Sequence, residues 1–440
     1  VLNKIKTDGL GATLDTVRTK LDQAIPLGYC NYGVVIESSI QDIKVGDRVA
    51  SNGPHAEIVR VPEKLVAKVP DNVSGDEAVF TVIGSIGLQG IRLAKPTFGE
   101  TIVVIGLGLV GFITAQLLKA NGINVICIDI DKQKCELASS MGINTINPST
   151  NDQVKAVMSF TNNIGADGVI ITAATKSNDV ISHAAQMSRK RGRIILVGVV
   201  GLNIDRSDFY EKELTFQVSC SYGPGRYDES YELQGIDYPL PYVRWTEKRN
   251  FEAVLNSMSN GSLKLNQLIS EKIKIDDAKK IYSDIGNKGS IASIILYPEI
   301  EEKQKNKNII SIKNNIIKKS RGVIGIIGSG NFTRTTILPS LKNTNAKIKY
   351  IASSSGISGT KLAKKYNINY STTDYKKILN DEDVDSVLIT TRHDSHAKFV
   401  IDALKSGKNV FVEKPLALNE TELDNICLQY NQVNDLSLMV

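Results

Sequence analysis

The chain of 440 residues is long enough to bury several cores, and 42% apolar with 23% charged residues is a globular composition, not a disordered or low-complexity one. Its net charge of +6 is concentrated in one stretch without an acid (Lys303, Lys305, Lys307, Lys313, Lys318, Lys319 and Arg321), which reads as a solvated linker and argues against a nucleic-acid or anionic-membrane surface. No run reaches the ~18 to 20 apolar residues of a membrane span, and five cysteines without a C-x-x-C pair read as reduced thiols of a cytoplasmic protein.

Residues from Leu27 to about Lys68 alternate short strand patterns with turns: YGVVIES, KVGDRVA and AEIVRVP, a small β-rich module. From about Ser74 helical stretches alternate with β-branched runs at 101–105, 124–128, 168–173 and 193–199, which calls for crossover helices and a parallel sheet. A Gly/Pro/Tyr-rich stretch, 221–250, interrupts the rhythm, and a helical segment and the strand SIILYP close the first half near Pro298. After the Lys/Asn-rich linker the alternation restarts with VIGII, KIKYIAS, DSVLITT and NVFVE as strands and helices around 332–341, 396–406 and 420–430; the last residues, LSLMV, read as a buried strand. The fold class is α/β with two doubly wound parallel sheets. The expected domains are a β-rich one over 1–75 and 240–298, a nucleotide-binding one over 76–239, a linker over 299–321 and a second nucleotide-binding one over 322–440. With no initiator Met and a strand at its end, the chain reads as a fragment truncated at both ends.

The run TIVVIGLGLVG places Gly106 at the tight turn after a strand, Gly108 where backbone approaches a pyrophosphate and Gly111 where the next helix packs against the sheet. Free N–H groups at that helix start favour phosphate. Asp129, 18 residues after Gly111 and ending the next strand, would accept from ribose hydroxyls and repel a 2′-phosphate, so the site is expected to take NAD. Asp131 suits the N-cap of the helix that follows.

With its β-rich start and KVGDRVA turn, this half resembles the medium-chain dehydrogenase/reductase family over about residues 25 to 298. The resemblance implies a GroES-like catalytic domain beside a Rossmann domain and an alcohol dehydrogenase-like activity. Zinc-using members carry G-H-E where this chain has Gly28-Tyr29-Cys30, and the four cysteines of the structural zinc site are absent, so no metal is expected. Carbonyl polarisation then falls to hydrogen-bond donors or a general acid, with Tyr29 and Cys30 as candidates and His55 as a surface residue.

In the second glycine turn, GVIGIIGSGNFT, Gly328 and Gly330 fill the first two roles, Asn331 and Phe332 follow, and Thr333 stands where Gly or Ala is usual. The next strand ends in Ala352-Ser353-Ser354-Ser355-Gly356 without a carboxylate, so the site is expected to take NADP or NAD, with Arg334 as a helper for a 2′-phosphate. The segments DVDSVLITTRHDSH and KNVFVEKPLA are similar to the Gfo/Idh/MocA family over residues 322 to 440. That resemblance implies cofactor contacts from Glu413, Lys414 and Pro415, with Lys414 near nicotinamide and substrate. His396 is left between a cofactor contact and a helix-start cap. Arg392-His393 depart from that family's usual Pro-Asn, and its substrate domain would lie beyond Val440.

The fusion, with its GPGRYD and YVRWTEKRN segments, resembles bacterial bi-domain oxidoreductases associated with sugar-nucleotide or surface-polysaccharide pathways. In that light Arg226, Tyr227, Arg244 and Trp245 are candidate contacts for a polar sugar substrate, with Arg249 beside them. The expected function is hydride transfer between nicotinamide and a secondary alcohol or ketone, without zinc, by a homo-oligomer acting on a small molecule. The alternative is an inert NAD-binding sensor or scaffold.

Overall fold

The computed structural model describes residues 26–284, 290–298, 308–313, 322–342, 344–433 and 435–440. Of the basic linker residues, Lys303, Lys305, Lys307, Lys318, Lys319 and Arg321 lie outside these, as do residues 1–25 of the expected β-rich domain. The described residues fall into two compact units that divide between 299 and 300.

The first unit begins with an antiparallel sheet of β1 (Asn31–Val34), β2 (Arg48–Ser51) and β3 (Val66–Lys68), then the helix α1 (Thr81–Ala94). Six parallel strands follow: β4 (Thr101–Ile105), β5 (Asn124–Ile128), β6 (Asn144–Ile146), β7 (Ala166–Ile171), β8 (Ser188–Leu196) and β9 (Thr215–Val218). Their order is β6-β5-β4-β7-β8-β9, so the strand order reverses direction between β5 and β7 around β4. The β-branched runs are buried on both faces, as a sheet covered by helices on both sides requires. Ile102 and Val104 of β4 join one core with Phe112, Leu118 and Phe251, while Val103 and Ile105 join another with Ile128, Ile171 and Met187.

Two crossover helices shape the site: α2 (Leu109–Ala120), which leaves the glycine turn, and α3 (Lys132–Ser140), which follows β5. In the segment assigned above to the β-rich domain, residues 247–259 form the helix α4 (Glu247–Ser259). Phe251, Val254, Leu255 and Met258 recur at helical spacing and are all buried, in the same core as α1. A parallel pair, β10 (Ile269–Lys274) with β11 (Ala292–Leu296), completes the unit.

The second unit is a seven-stranded sheet of order β12-β15-β14-β13-β16-β17-β18. Its strands are β12 (Ile309–Ser311), β13 (Val323–Ile327), β14 (Lys347–Ala352), β15 (Tyr370–Thr372), β16 (Ser386–Ile389), β17 (Asn409–Val412) and β18 (Leu438–Met439). All neighbours are parallel except β12, which pairs antiparallel with β15, so part of the expected linker is an edge strand. β15 and the helix α5 (Ile357–Tyr366) were not legible in the sequence, whereas α6 (His396–Lys405) and α7 (Glu420–Tyr430) fall where expected. The LSLMV segment is an edge strand with Met439 mostly exposed, not a buried one, because β18 pairs with β17 alone.

Candidate functional site

Register brings the first cofactor residues to one edge of the sheet. Ile105 of β4 pairs with Ile128 of β5 and with Ile171 of β7, so Gly106, Asp129 and Thr172 each follow an aligned strand end. Gly106 has φ +101, and a Cβ there would lie 2.7 Å from Ala173 N. A Cβ at Gly111 would lie 1.9 Å from Gly106 O, so α2 reaches the turn only with glycine there. Thr172 Oγ1 donates to that same carbonyl at 2.7 Å. Gly108 is the N-cap of α2 with open space where a Cβ would point, leaving the helix N–H groups facing outward for a pyrophosphate.

Asp129 is built into this turn. Its Oδ2 accepts from Leu107 N–H at 2.6 Å and its Oδ1 from Asp131 N–H at 2.8 Å. Each carboxylate oxygen has two lone pairs, so ribose hydroxyls can still be accepted by the group that orders the loop. Asp131 caps α3, accepting from Gln133 N–H at 2.9 Å. These residues fit a dinucleotide.

At the Gly28-Tyr29-Cys30 segment, burial pushes the Cys30 thiol up to about 12, and burial followed by Cys30 raises the half-exposed Tyr29 phenol. Cys30 packs against the first core. His55 sits against Gly28, where a Cβ would lie 1.9 Å from the ring, and its Nδ1 is 2.8 Å from Tyr282 Oη. Among the described residues no group of three or more His, Cys, Asp or Glu is placed to hold a metal ion.

Beyond β9 the chain turns through four positive φ angles, at Ser221 (+48), Gly223 (+121), Gly225 (+103) and Tyr227 (+67). Non-glycine residues in that region store strain, which concentrates at functional sites. Arg226 Nη1 pairs with Glu232 Oε1 at 2.6 Å, and its guanidinium lies 4.1 Å from the Tyr227 ring centroid. Trp245 carries two guanidiniums, Arg92 at 3.6 Å and Arg244 at 4.1 Å, and burial followed by Arg244 lowers Arg92 to about 10. Arg249 pairs with Asp237 at 2.5 Å. The sequence candidates therefore stand close to one another, joined by Arg92–Asn250 and Asn250–Tyr222 hydrogen bonds of 2.7 and 2.8 Å, but most of their cationic groups are already engaged. Glu247 was missed: it is fully buried on α4, and nothing in the basic run RWTEKRN marks its one acid as an inward-facing group.

The second turn repeats the first with two changes, Thr333 in place of Gly111 and Ser353 in place of Asp129. Gly328 has φ +114, with a Cβ position 2.7 Å from Thr390 C, and Thr390 follows β16 as Thr172 follows β7. Thr333 fills the place of Gly111 and is fully buried; its Oγ1 donates to Gly328 O at 3.1 Å, and the helix widens to a π-helix over Thr333–Ile337. Ser353, where the first unit has Asp129, accepts from Gly359 N–H at 3.2 Å, while Ser354 and Ser355 are exposed. Gly330 has space around it, Phe332 is partly exposed, and Asn331 Oδ1 accepts from Arg334 at 2.6 Å. His396 opens α6 and is fully buried, with Nδ1 2.7 Å from Pro415 O and Nε2 3.1 Å from Thr391 O. It ties the Glu413-Lys414-Pro415 segment to the end of β16, a clamp that neither sequence alternative named. Lys414 is exposed.

Residues 323–439 match the family model described as oxidoreductase family, NAD-binding Rossmann fold, and residues 110–234 match the one described as zinc-binding dehydrogenase. The chain is 29% identical over 269 residues to the D-guloside 3-dehydrogenase of Escherichia coli (strain K12), covering 58% of this chain and 72% of that protein. It is 23% identical over 285 residues to the (R,R)-butanediol dehydrogenase of Bacillus subtilis (strain 168), covering 58% and 75%. The solved alcohol dehydrogenase TADH from Thermus sp. ATN1 shares the fold at a TM-score of 0.53 and 22% identity, over 66% of this chain and 89% of that one. The zinc named in the second model's description does not fit the described residues: the Gly28-Tyr29-Cys30 segment offers one thiol and a phenol, and no group of three or more His, Cys, Asp or Glu is placed with them among the described residues.

Proposed function

We propose, from the premise that this chain is an oxidoreductase fusing a dehydrogenase half of the zinc-binding type to an NAD-binding half of the GFO_IDH_MocA family, that its first unit oxidises a secondary alcohol of a sugar derivative with NAD and without zinc. The observation that carries this reading is Asp129, held by Leu107 and Asp131 N–H groups at the aligned ends of β4 and β5. A carboxylate fixed there selects a ribose with both hydroxyls. When bound, the dinucleotide supplies the hydride acceptor. The chain supplies position: the N–H groups of α2 hold phosphate, and the 221–250 segment, next to the end of β9, supplies polar contacts for the substrate.

A sugar substrate is supported by the Escherichia coli relative, itself named a dehydrogenase of a guloside. In the second unit Ser353 stands in place of the ribose-reading acid with exposed Ser354 and Ser355 after it, and Arg334 Nε is buried without a partner, which supports NADP there, with NAD as the competing ligand. The proposal extends to a cytoplasmic homo-oligomer in surface-polysaccharide synthesis. No helix among the described residues is long and apolar enough to cross a membrane.

Titration of wild type and Asp129→Ala with NADH and NADPH, followed by NADH formation from a panel of sugars and glycosides, tests the reading. Saturable NADH binding that Asp129→Ala weakens, with turnover on at least one sugar, is the expected result. Binding without turnover on any sugar would replace it with an inert cofactor-binding role.

A further inference from the structure

Three polar groups in the first unit are buried without a hydrogen-bond partner and belong to one neighbourhood: Tyr222 Oη, Arg226 Nε and both carboxylate oxygens of Glu247. Glu247 is 0% exposed and Tyr222 2%. The Arg226 guanidinium lies 5.3 Å from the Tyr222 ring centroid, and Glu247 N–H donates to Pro224 O at 2.9 Å, which fixes the start of α4 under the 221–232 loop. Orphaned donors and acceptors at one place are costly unless something bridges them, and a water with two to four polar partners does so. The loop above them is the strained one, and it leaves β9 at the C-terminal edge of the sheet, on the opposite side of β4 from Asp129. Ligands of open α/β sheets bind beyond that edge.

We infer that Glu247, in an internal hydrated site shared with Tyr222 and Arg226, is the proton-holding residue of the first active centre. The inference rests on the dehydrogenase reading. Oxidation of a CH–OH group to a carbonyl would break the C–H bond, its hydrogen leaving with both electrons as hydride to the bound dinucleotide, and would break the O–H bond, its proton passing through the internal water to the Glu247 carboxylate, which becomes the neutral acid. Reduction runs the same transfer backwards. Burial, then the Glu232 carboxylate, raise the Glu247 carboxyl to about 8, with Arg226 opposing them. That value suits a group exchanging protons near neutrality. The groups that interact with it are Tyr222, Arg226, Tyr231 and Glu232 from the loop and Tyr238 after it. Beyond them Arg92 of α1 donates to Asn250, Lys64 lies over the Tyr231 ring and Glu63 pairs with Lys248 of α4.

Infrared difference spectra of the full chain across neutral pH, without substrate, read the carboxyl directly, and the pH profile of NADH formation reads its use. Expected are a protonated-carboxyl band that titrates near pH 8 in wild type and is missing in Glu247→Gln, and kcat/KM about 10²-fold lower in Glu247→Gln with the rise through that pH abolished. Glu247→Asp should recover part of both, which separates the proton role from packing. Absence of the band in wild type overturns the inference and leaves the dehydrogenase reading standing. A Glu247→Gln enzyme with the wild-type pH profile also overturns it. Intact NADH binding with no turnover on any sugar overturns the inference together with that reading.

Discussion

Thr333 Oγ1 and Thr390 Oγ1 lie 2.6 Å apart beneath the second glycine turn, both within reach of Gly328 O, at 3.1 and 3.3 Å. The first unit reaches the same end with glycine: Gly111 lets α2 press against Gly106 O, and Thr172 alone donates to that carbonyl. The π-helical turn over Thr333–Ile337 is the backbone's accommodation of a side chain where the first unit has none. Thr333→Val keeps most of the volume and removes the buried hydroxyl, so it should lower unfolding stability by about 1 kcal/mol. Thr333→Ala adds a small cavity and should cost somewhat more. Denaturant unfolding of the full chain measures both, and an Ala variant as stable as wild type would mean the hydroxyl pair carries no weight.

Asp129 performs two tasks with one carboxylate, so its variants should separate. Asp129→Asn retains an acceptor for Leu107 N–H but loses the charge, and should weaken NADH binding about 10-fold while improving the NADPH-to-NADH ratio. Asp129→Ala strands both N–H groups and should also lower thermal stability. Fluorescence titration with the two dinucleotides checks the ratio; an Asn variant with unchanged preference would remove Asp129 from ribose recognition.

Both sheets were legible because β-branched runs with glycine turns between them leave few topologies open, and Asp129 was legible because the spacing from Gly111 places it at a strand end. Thr172 and Thr390 were not, since their role depends on register between β4 and β7 and between β13 and β16, which no local pattern encodes. Edge strand β12 was hidden by its basic surroundings, as Ile309 and Ile310 sit in a run that composition assigns to solvent. Burial of Glu247 arises from the fold of the 221–232 loop over α4, a tertiary fact with no sequence signature. Arg226, by contrast, was read for its charge, and the structure shows that charge partnered by Glu232.

Chelation distinguishes a zinc-free first site from a zinc-dependent one. The Cys30 thiol is raised to about 12 by burial, and among the described residues no group of three or more His, Cys, Asp or Glu is placed to hold a metal ion. Dialysis against a strong chelator should therefore leave both NADH binding and sugar oxidation within about twofold of the untreated protein, and Cys30→Ser should do the same. Stoichiometric zinc by metal analysis, with activity lost on chelation and restored by the metal, would overturn this.

Stability should carry the mark of Glu247 with a definite sign. Its carboxyl is raised from 4.5 to about 8, so between those values the folded chain binds a proton that the unfolded chain has released. Folding stability attributable to this group is therefore greatest below about pH 4.5 and falls as pH rises towards 8, by at most about 1.4 kcal/mol per unit. Glu247→Gln cannot ionise, so its stability relative to wild type should grow from roughly zero near pH 5 to a clear excess near pH 9, with the steepest change in between. Melting temperatures of the two proteins across that range measure the difference. A gap that stays constant with pH would show that Glu247 ionises alike in the folded and unfolded chains, and that the buried carboxylate is stabilised by partners sufficient to offset its burial.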